Sequence, residues 1–178
     1  MKILRNLLLG LVGLVVLLAG VGLFLPDTAH VERSARIQAA PERVHALIND
    51  YKRFNEWSPW AERDPKAVYE YSGPGAGVGA KMSWRSQDPD VGSGSQEIIE
   101  SRPDLIRVAL DFGPDGKAVA FFKLEPVEGA TQLTWGFDTQ FEGNIIGRYA
   151  GLLLDGMVGA DYEKGLGKLK ALVEKPAA

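Results

Sequence analysis

The stretch LIRVALDF, residues 105–112, decides the fold class because large apolar side chains alternate with other side chains along it. A period of two is typical of a β-strand that buries one face. The stretch TQLTWGFDT, residues 131–139, has the same pattern. The side chains predicted to face inward are Ile106, Val108, Leu110 and Phe112 in the first stretch, and Leu133, Trp135 and Phe137 in the second. Both stretches are therefore predicted to be strands with one apolar face.

Further strand-like runs lie between clusters of turn-forming residues, at 68–71, 81–85, 94–100 and 117–124. Asp115-Gly116 is a hairpin signal just before the last of these runs. Successive strands that are joined by short turns pair in an antiparallel manner. This part of the chain is therefore predicted to form one antiparallel sheet, whose apolar face needs a cover.

Helical patterns flank the predicted sheet on both sides. Upstream, a short strand at 31–38 leads into a helix that starts at AAPE, residues 39–42. A second brief helix is predicted from Tyr51 until just before Pro59. Downstream, apolar residues recur every three or four positions, and these are Val158, Tyr162, Leu166, Leu169 and Val173. One long C-terminal helix is therefore predicted to cover the sheet, which gives an α+β fold.

The N-terminus contains an uninterrupted apolar run from Leu7 to Leu25, closed by Pro26. As a helix these residues reach roughly 28 Å at 1.5 Å per residue, close to the ~30 Å hydrocarbon core of a bilayer. A cleaved signal peptide is the alternative, although its apolar core is usually shorter and the one passable cleavage site, at 20–22, lies inside the run. A buried helix of a soluble domain is the third alternative. We expect a retained anchor over 1–26 and a single soluble domain over 27–178.

Charge predicts the orientation of this anchor and the classes of partner. Lys2 and Arg5 precede the apolar run, while the segment after it is mixed in charge, so the N-terminus is predicted to be cytoplasmic and the domain extracytoplasmic. Two of the 20 Lys and Arg residues lie before the anchor, which leaves 18 basic against 23 acidic side chains. This acidic balance without a basic run argues against nucleic-acid binding.

Metal and thiol chemistry have little basis in the composition. The chain has no cysteine, which excludes disulfides, thiolate nucleophiles and thiolate metal sites. Its two histidines, His30 and His45, are too few for a histidine-rich metal site, and neither lies in a recognisable triad context. We expect no metal and no cofactor, and a structural or surface role for both histidines.

Five motifs occur in order along the part of the chain after the apolar run. They are AAPERVHALIND (39–50), WSPW (57–60), GPGAGVG (73–79) followed by Trp84, TQLTW (131–135) and DYEKGLGKLK (161–170). In this order they resemble the START-like, or helix-grip, superfamily, which holds the polyketide cyclase/dehydrase and lipid-transport (SRPBCC) proteins and the major birch-pollen allergen. The resemblance implies a sheet that curls around the C-terminal helix and leaves a cavity for an apolar ligand. The motifs are typical of the fold family and are not a catalytic signature.

Two local motifs imitate known ligand loops. The glycines of 73–79 approximate a dinucleotide fingerprint, but such a loop must open a helix, and residues 80–85 read as a strand. The acids of 88–92 resemble the start of a calcium loop, but the position for the bidentate glutamate is Ile99. Both segments are therefore predicted to be turns.

The candidate ligand-binding residues are those predicted to border the cavity. The indole rings combine a large apolar area with one hydrogen-bond donor, and the loop-like surroundings of Trp57 and Trp60 favour the cavity entrance. On the sheet and the C-terminal helix the inward-facing pattern supplies the remaining candidates. The full set is Trp57, Trp60, Trp84, Leu110, Trp135, Val158 and Tyr162.

Three functions are open at this point. The leading hypothesis is membrane-tethered binding of a hydrophobic small molecule or lipid, without catalysis. The second is a cyclase- or dehydratase-like enzyme that acts on a polyketide-like substrate, which requires an ionisable group that faces the cavity. No polar residue clearly breaks the inward-facing apolar pattern, so this hypothesis ranks second. The third is a protein-interaction module with a filled core, for which the sequence identifies no partner.

Overall fold

This computed structural model describes residues 2–175 of the chain, which contain five α-helices and seven strands. In chain order they are α1 (Lys2–Phe24), β1 (Thr28–Ile37), α2 (Pro41–Ile48), α3 (Tyr51–Phe54), α4 (Pro59–Arg63), β2 (Val68–Ser72), β3 (Lys81–Arg85), β4 (Ser93–Arg102), β5 (Leu105–Asp111), β6 (Lys117–Val127), β7 (Ala130–Gln140) and α5 (Ile145–Glu174). The predicted α+β class is confirmed.

All seven strands belong to one antiparallel sheet, in the order β1-β7-β6-β5-β4-β3-β2. Strands β2 to β7 follow one another along the sheet as hairpin neighbours, as the short turns between them predicted. Strand β1 joins the far side by pairing with β7, where Val31 lies opposite Phe137. The helices α2, α3 and α4 occupy the connection from one edge strand, β1, to the other, β2.

Helix α5 covers the apolar face of the sheet, as predicted. Its second half buries the repeating apolar positions, and Leu166, Leu169 and Val173 are each at most 2% exposed. These side chains join one core cluster with inward-facing residues of the strands, among them Ile106 and Leu133. The interior of the domain therefore lies between the sheet and this helix.

The brief helix predicted from Tyr51 does end before Pro59, at Phe54, and Pro59 begins a further short helix, α4, that was not predicted. Proline suits the first turn of a helix, where a backbone N–H has no partner in the helix. One sequence prediction is wrong in local detail. Asp115-Gly116 does not form a two-residue hairpin. The connection from β5 to β6 contains a short 3₁₀ turn, Gly113–Asp115, with glycines of positive φ on both sides of the Pro-Asp pair.

Helix α5 begins at Ile145, thirteen residues before the first periodic position that the sequence indicated. The side chain of Asn144 caps this start by accepting a hydrogen bond from the backbone N–H of Gly147 at 3.1 Å. Glycines at 147 and 151 face the ring of Phe141, where a β-carbon at either position would come within 3.0 Å of a ring atom. These glycines weaken the helical signal in the sequence while they allow this packing.

Two glycines of α5 provide a matched test of how closely this helix approaches the sheet. A β-carbon at Gly165 would lie 2.6 Å from the Trp135 ring and 3.2 Å from Pro59, whereas nothing lies within 4 Å of one at Gly167. We expect Gly167→Ala to stabilise the domain by about 1 kcal/mol through helix propensity. Gly165→Ala should destabilise it, because overpacking of about 1–3 kcal/mol outweighs that gain. Urea unfolding midpoints measure both, and equal shifts would contradict the close approach.

Candidate ligand-binding cavity

A cavity of about 240 Å³ lies between the sheet and α5. The sheet contributes inward-facing side chains of β3 to β7, such as Met82, Val108 and Phe137. Helix α5 contributes Val158 and Tyr162, and further wall residues come from the segment of the short helices α2 to α4, from the β3–β4 connection, and from Tyr69 of β2 and Phe112 after β5. The wall is predominantly apolar, as is usual for sites that take small organic ligands.

Trp135 is the centre of an aromatic cluster on this wall. Its ring stacks on Tyr162 with ring centroids 4.0 Å apart, and on Phe122 with centroids 5.2 Å apart. The edges of Trp57 and Trp60 pack against it at centroid distances of 5.3 and 5.9 Å. Such stacked and edge-to-face pairs are the favoured geometries of aromatic rings, so this part of the wall is rigidly packed.

The otherwise apolar wall includes polar side chains, among them Tyr51, Gln96 and Ser58. The Tyr51 hydroxyl is buried and has no hydrogen-bond partner within the described chain. Gln96 is 7% exposed, and its amide nitrogen contacts only the Met82 sulfur, at 4.0 Å. A buried donor without a partner costs about 1–3 kcal/mol, so groups of this kind usually meet a water or a ligand.

The ionisable side chains on the wall are tyrosines and one aspartate, Asp90. Burial raises the pKa of Tyr51 and of Tyr162 well above the usual range for tyrosine, and the charge of Glu97 adds to the rise at Tyr51. Both phenols therefore stay neutral at physiological pH, so each could donate a hydrogen bond to a ligand. Asp90 is exposed, in the connection between β3 and β4.

The cavity wall is partly exposed where α4, α5 and the β3–β4 connection meet, and we call this side the cavity mouth. Half-buried Trp60, Trp84 and Val158 mark this side of the wall. The indole N–H of Trp84 donates to the Val91 carbonyl at 3.2 Å, which holds the connection against the sheet. Arg63 donates to the Asp161 carboxylate at 2.6 and 3.3 Å and to the Asp90 carbonyl at 3.3 Å. This arginine therefore links all three segments around the mouth.

Removing the Arg63 link should loosen the mouth with little effect on the core. We expect Arg63→Ala to accelerate uptake and release of an apolar probe several-fold, while stability falls by about 1–3 kcal/mol, because the pair with Asp161 is partly buried and charge-assisted. Arg53→Ala is the control, because Arg53 of α3 pairs with Glu56, just after that helix, and has no hydrogen bond or ion pair to Asp90 or α5 within the described chain. Stopped-flow fluorescence measures both rates. Equal rates in wild type and Arg63→Ala would show that the link does not control access.

The structure brings six of the seven predicted site residues to this cavity: Trp60, Trp84, Leu110, Trp135, Val158 and Tyr162. Trp57 is not at the entrance. It is fully buried and packs edge-to-face with Phe54, Phe122 and Trp135, behind the wall. Its segment is a turn between two short helices, α3 and α4, as its loop-like sequence suggested, but this turn directs the side chain into the core and not toward an entrance.

Sequence reasoning missed Tyr51 and Gln96. The expectation that no polar residue breaks the inward-facing pattern was wrong, because Gln96 shares the inner face of β4 with Ile98. The polar residues that surround Gln96 in the sequence mask this signal. Tyr51 begins α3 as an aromatic residue among polar ones, and its inward direction depends on how that short helix packs.

The two segments that resemble ligand-binding loops are turns, as predicted. Residues 73–79 connect β2 to β3, with Gly73, Gly77 and Gly79 at positive φ, and they open a strand instead of a helix. Residues 88–92 connect β3 to β4, where the Asp88 carboxylate accepts from the Asp90 N–H at 2.9 Å.

The histidines lie outside the cavity wall. His30 is on β1 beside Asp138 of β7, at 2.7 Å, and this hydrogen bond raises the pKa of His30. His45 is on α2, with its Nε2 atom 3.4 Å from the Ser101 hydroxyl of β4.

A curved antiparallel sheet, a long C-terminal helix and an apolar cavity between them define a helix-grip protein. The family model for polyketide cyclase / dehydrase and lipid transport matches residues 28–174. The chain therefore belongs to this family, and the resemblance drawn from the sequence motifs is confirmed. The search of curated proteins found no match.

Solved structures of distant relatives share the fold. Protein CV1439 from Chromobacterium violaceum is 23% identical, with a TM-score of 0.54, and the match covers 85% of this chain and 100% of that one. Truncated norcoclaurine synthase from Thalictrum flavum is 13% identical, with a TM-score of 0.61 and coverage of 84% and 96%. TTHA0849 from Thermus thermophilus is 17% identical, with a TM-score of 0.58 and coverage of 81% and 96%. At these identities the likeness concerns the fold alone.

Proposed function

We propose that this protein binds a small hydrophobic molecule in the cavity between its sheet and α5, while α1 holds it on a membrane. The observation that carries the proposal is an apolar cavity of about 240 Å³ whose wall includes Tyr51, a residue whose buried hydroxyl has no hydrogen-bond partner within the described chain. The family and the fold are compatible with a hydrophobic ligand.

The volume of the cavity limits the ligand. An apolar protein cavity of about 150 Å³ holds one benzene molecule. A volume of about 240 Å³ therefore suits a molecule about one and a half times that size, such as a small ring system or a short single chain. A whole two-chain phospholipid is much larger than this volume, so a compact apolar metabolite is the better candidate.

The polar groups of the wall suggest one further property of the ligand. Tyr51 is a neutral donor, and the Gln96 amide offers both a donor and an acceptor. A ligand with one uncharged acceptor, such as a carbonyl or ether oxygen, would satisfy the Tyr51 hydroxyl. A charged ligand is disfavoured, because no cationic side chain of the described chain lines the cavity to compensate the burial of an anion. Neutral tyrosines are poor general bases, and for this reason binding is proposed ahead of proton-transfer catalysis.

Helix α1 supports the proposed membrane tether. It has 23 residues with a mean hydropathy of 2.8 and is long and apolar enough to cross a membrane. Its apolar side chains are exposed on all sides, whereas a core helix of a soluble protein would be buried. We place the anchor at residues 1–26 and the binding domain from Asp27 onward, with the N-terminus cytoplasmic and the domain extracytoplasmic.

Native mass spectrometry of the full-length protein, released from detergent micelles, tests the binding proposal. We expect a co-purifying neutral molecule that is lost on activation and that is smaller than a phospholipid. Tyr51→Phe keeps the ring and removes the hydroxyl, so the bound fraction of a ligand with an acceptor group should fall. Asn55→Ala is the control, since Asn55 lies on the same segment but outside the cavity wall. A wild-type protein that carries and accepts no hydrophobic molecule would refute the proposal.

Reporter fusions after residue 178 test the orientation separately. A reporter that is active only outside the cytoplasm should be active, and a cytoplasmic reporter should be silent. The reverse pattern would overturn the orientation without affecting the cavity. The mass of the mature protein distinguishes the retained anchor from a cleaved signal peptide, because cleavage would remove about twenty residues.

A further inference from the structure

The first half of α5 carries an apolar surface that no other described part of the chain covers. Ile146, Leu152, Leu153 and Met157 are between 59 and 81% exposed. Ile146, Leu153 and Met157, together with exposed Ala150, recur at spacings of four, three and four residues, which places them on one side of the helix. Leu152 extends this surface around the helix. A contiguous exposed apolar surface of this kind marks an interaction site.

This surface adjoins the end of α1. The Tyr149 hydroxyl donates to the Leu18 carbonyl at 2.8 Å, and Gly22 allows Ile145 and Tyr149 to pack closely against α1. Arg148 donates to the carbonyls of the last turn, with the shortest distance, 3.0 Å, to Leu23. The guanidinium also pairs with Asp27 at 3.0 Å. Helix α5 is therefore fixed against the last two turns of α1.

The Tyr149 contact sets the depth of α5 relative to a bilayer. Leu18 lies seven residues before Leu25, the end of the apolar run, which is about 10 Å along the helix. A bilayer that α1 spans would therefore reach the level of Tyr149. Interfacial helices bury their apolar faces about 5–10 Å into the boundary between headgroups and acyl chains, where tyrosine is also enriched.

From this register we infer that the segment 145–157 of α5 lies in the membrane interface and inserts Ile146, Leu152, Leu153 and Met157 among the lipids. The inference rests on the proposed anchor and adds a second, monotopic contact. It also places the cavity beside the bilayer, because Val158, the next residue along α5, lines the cavity mouth. A ligand dissolved in the membrane would then enter without crossing water.

A second copy of the chain is the competing occupant, because the spacing of Ile146, Ala150, Leu153 and Met157 also suits a helix pair. The bilayer is the favoured occupant because this surface lies next to α1, whose apolar side chains are exposed. The two helices are joined there by the hydrogen bond from the Tyr149 hydroxyl to the Leu18 carbonyl. Both occupants are distinguished by the experiment below.

Single-cysteine spin labels on the full-length protein test the inference, and the chain offers a clean background because it has no cysteine. Leu153→Cys and Met157→Cys report on the proposed contact. Leu14→Cys on α1 is the control for lipid, and exposed Ala171→Cys at the other end of α5 is the control for water. The labelled proteins are reconstituted in vesicles of phosphatidylethanolamine and phosphatidylglycerol.

We expect the ratio of collisions with oxygen to collisions with a water-soluble nickel complex to be several-fold higher at 153 and 157 than at 171, and to approach the ratio at 14. If the collision ratio at 153 and 157 equals the low ratio at 171 while the ratio at 14 is high, the interfacial contact is overturned and the anchor stands. A low collision ratio at 14 overturns both the anchor and the interfacial contact. Ligand binding in the cavity is tested independently by native mass spectrometry. Strong dipolar broadening between labels at 153 would assign the surface to a second copy and overturn the inference.

Discussion

Leu169→Asp is expected to prevent the domain from folding. Leu169 is completely buried on the face of α5 that covers the sheet, within the main core cluster. An aspartate there would place an uncompensated carboxylate in an apolar interior, which costs several kcal/mol, and whole domains are stable by only about 5–15 kcal/mol. Circular dichroism and limited proteolysis of the detergent-solubilised protein measure the effect.

The matched control for Leu169→Asp is Ala171→Asp. Ala171 lies two residues further along the same helix and is exposed, so the same charge meets water and should change stability by no more than about 0.5 kcal/mol. If Leu169→Asp folded as stably as this control, α5 could not be the cover of the sheet.

Trp135→Ala is expected to cost about 3–5 kcal/mol, the usual range for truncating a large aromatic core residue. Trp135 is 2% exposed and contacts Tyr162, Phe122 and two further tryptophans, so its removal takes one packing partner from each of these four rings. A side chain that merely bordered empty space would have fewer contacts to lose. Trp135 therefore serves both as cavity wall and as packed core.

Trp84→Ala is the control for Trp135→Ala, because Trp84 is half-buried at the mouth and its ring contacts Phe112 at a centroid distance of 5.9 Å. We expect a clearly smaller loss of stability for Trp84→Ala in urea unfolding. Equal losses would mean that the aromatic cluster around Trp135 does not carry more of the packing energy than the mouth does.

The sheet and the second half of α5 could be predicted from the sequence because their apolar residues keep a clear period. Residues 105–112 repeat every two positions, and Leu166, Leu169 and Val173 repeat every three or four. The first half of α5 could not be predicted in this way. Its exposed leucines face away from the core, and its glycines lower helix propensity, so neither period nor composition indicated that α5 continues back to Ile145.

The cavity could be predicted only in part, for a related reason. Residues on regular strands, such as Trp84 and Leu110, have directions that follow from alternation, and they do line the cavity. The directions of Tyr51 and Trp57 depend on two short helices whose packing is set by tertiary contacts. The depth of α5 relative to α1 depends on the Tyr149 and Arg148 contacts, which join residues more than a hundred positions apart.

The central claim is that the space between the sheet and α5 receives a hydrophobic molecule, and filling that space tests it. Ala120 is buried, lines the cavity and lies opposite Val108 and Phe137 on the neighbouring strands. Ala120→Phe should occupy part of the cavity of about 240 Å³ and keep the fold, because the added ring enters free space. Ala109→Phe is the control, since Ala109 lies on the other face of β5.

Energy transfer from tryptophan to an apolar naphthalene probe is the most direct measurement of this claim. Three of the four tryptophans of the chain line the cavity and the fourth packs behind it, so a probe bound there is excited efficiently. We expect saturable transfer in wild type and in Ala109→Phe, and at least a tenfold weaker apparent affinity in Ala120→Phe. Equal, saturable transfer in wild type and a folded Ala120→Phe protein, or no transfer in wild type, would contradict the claim.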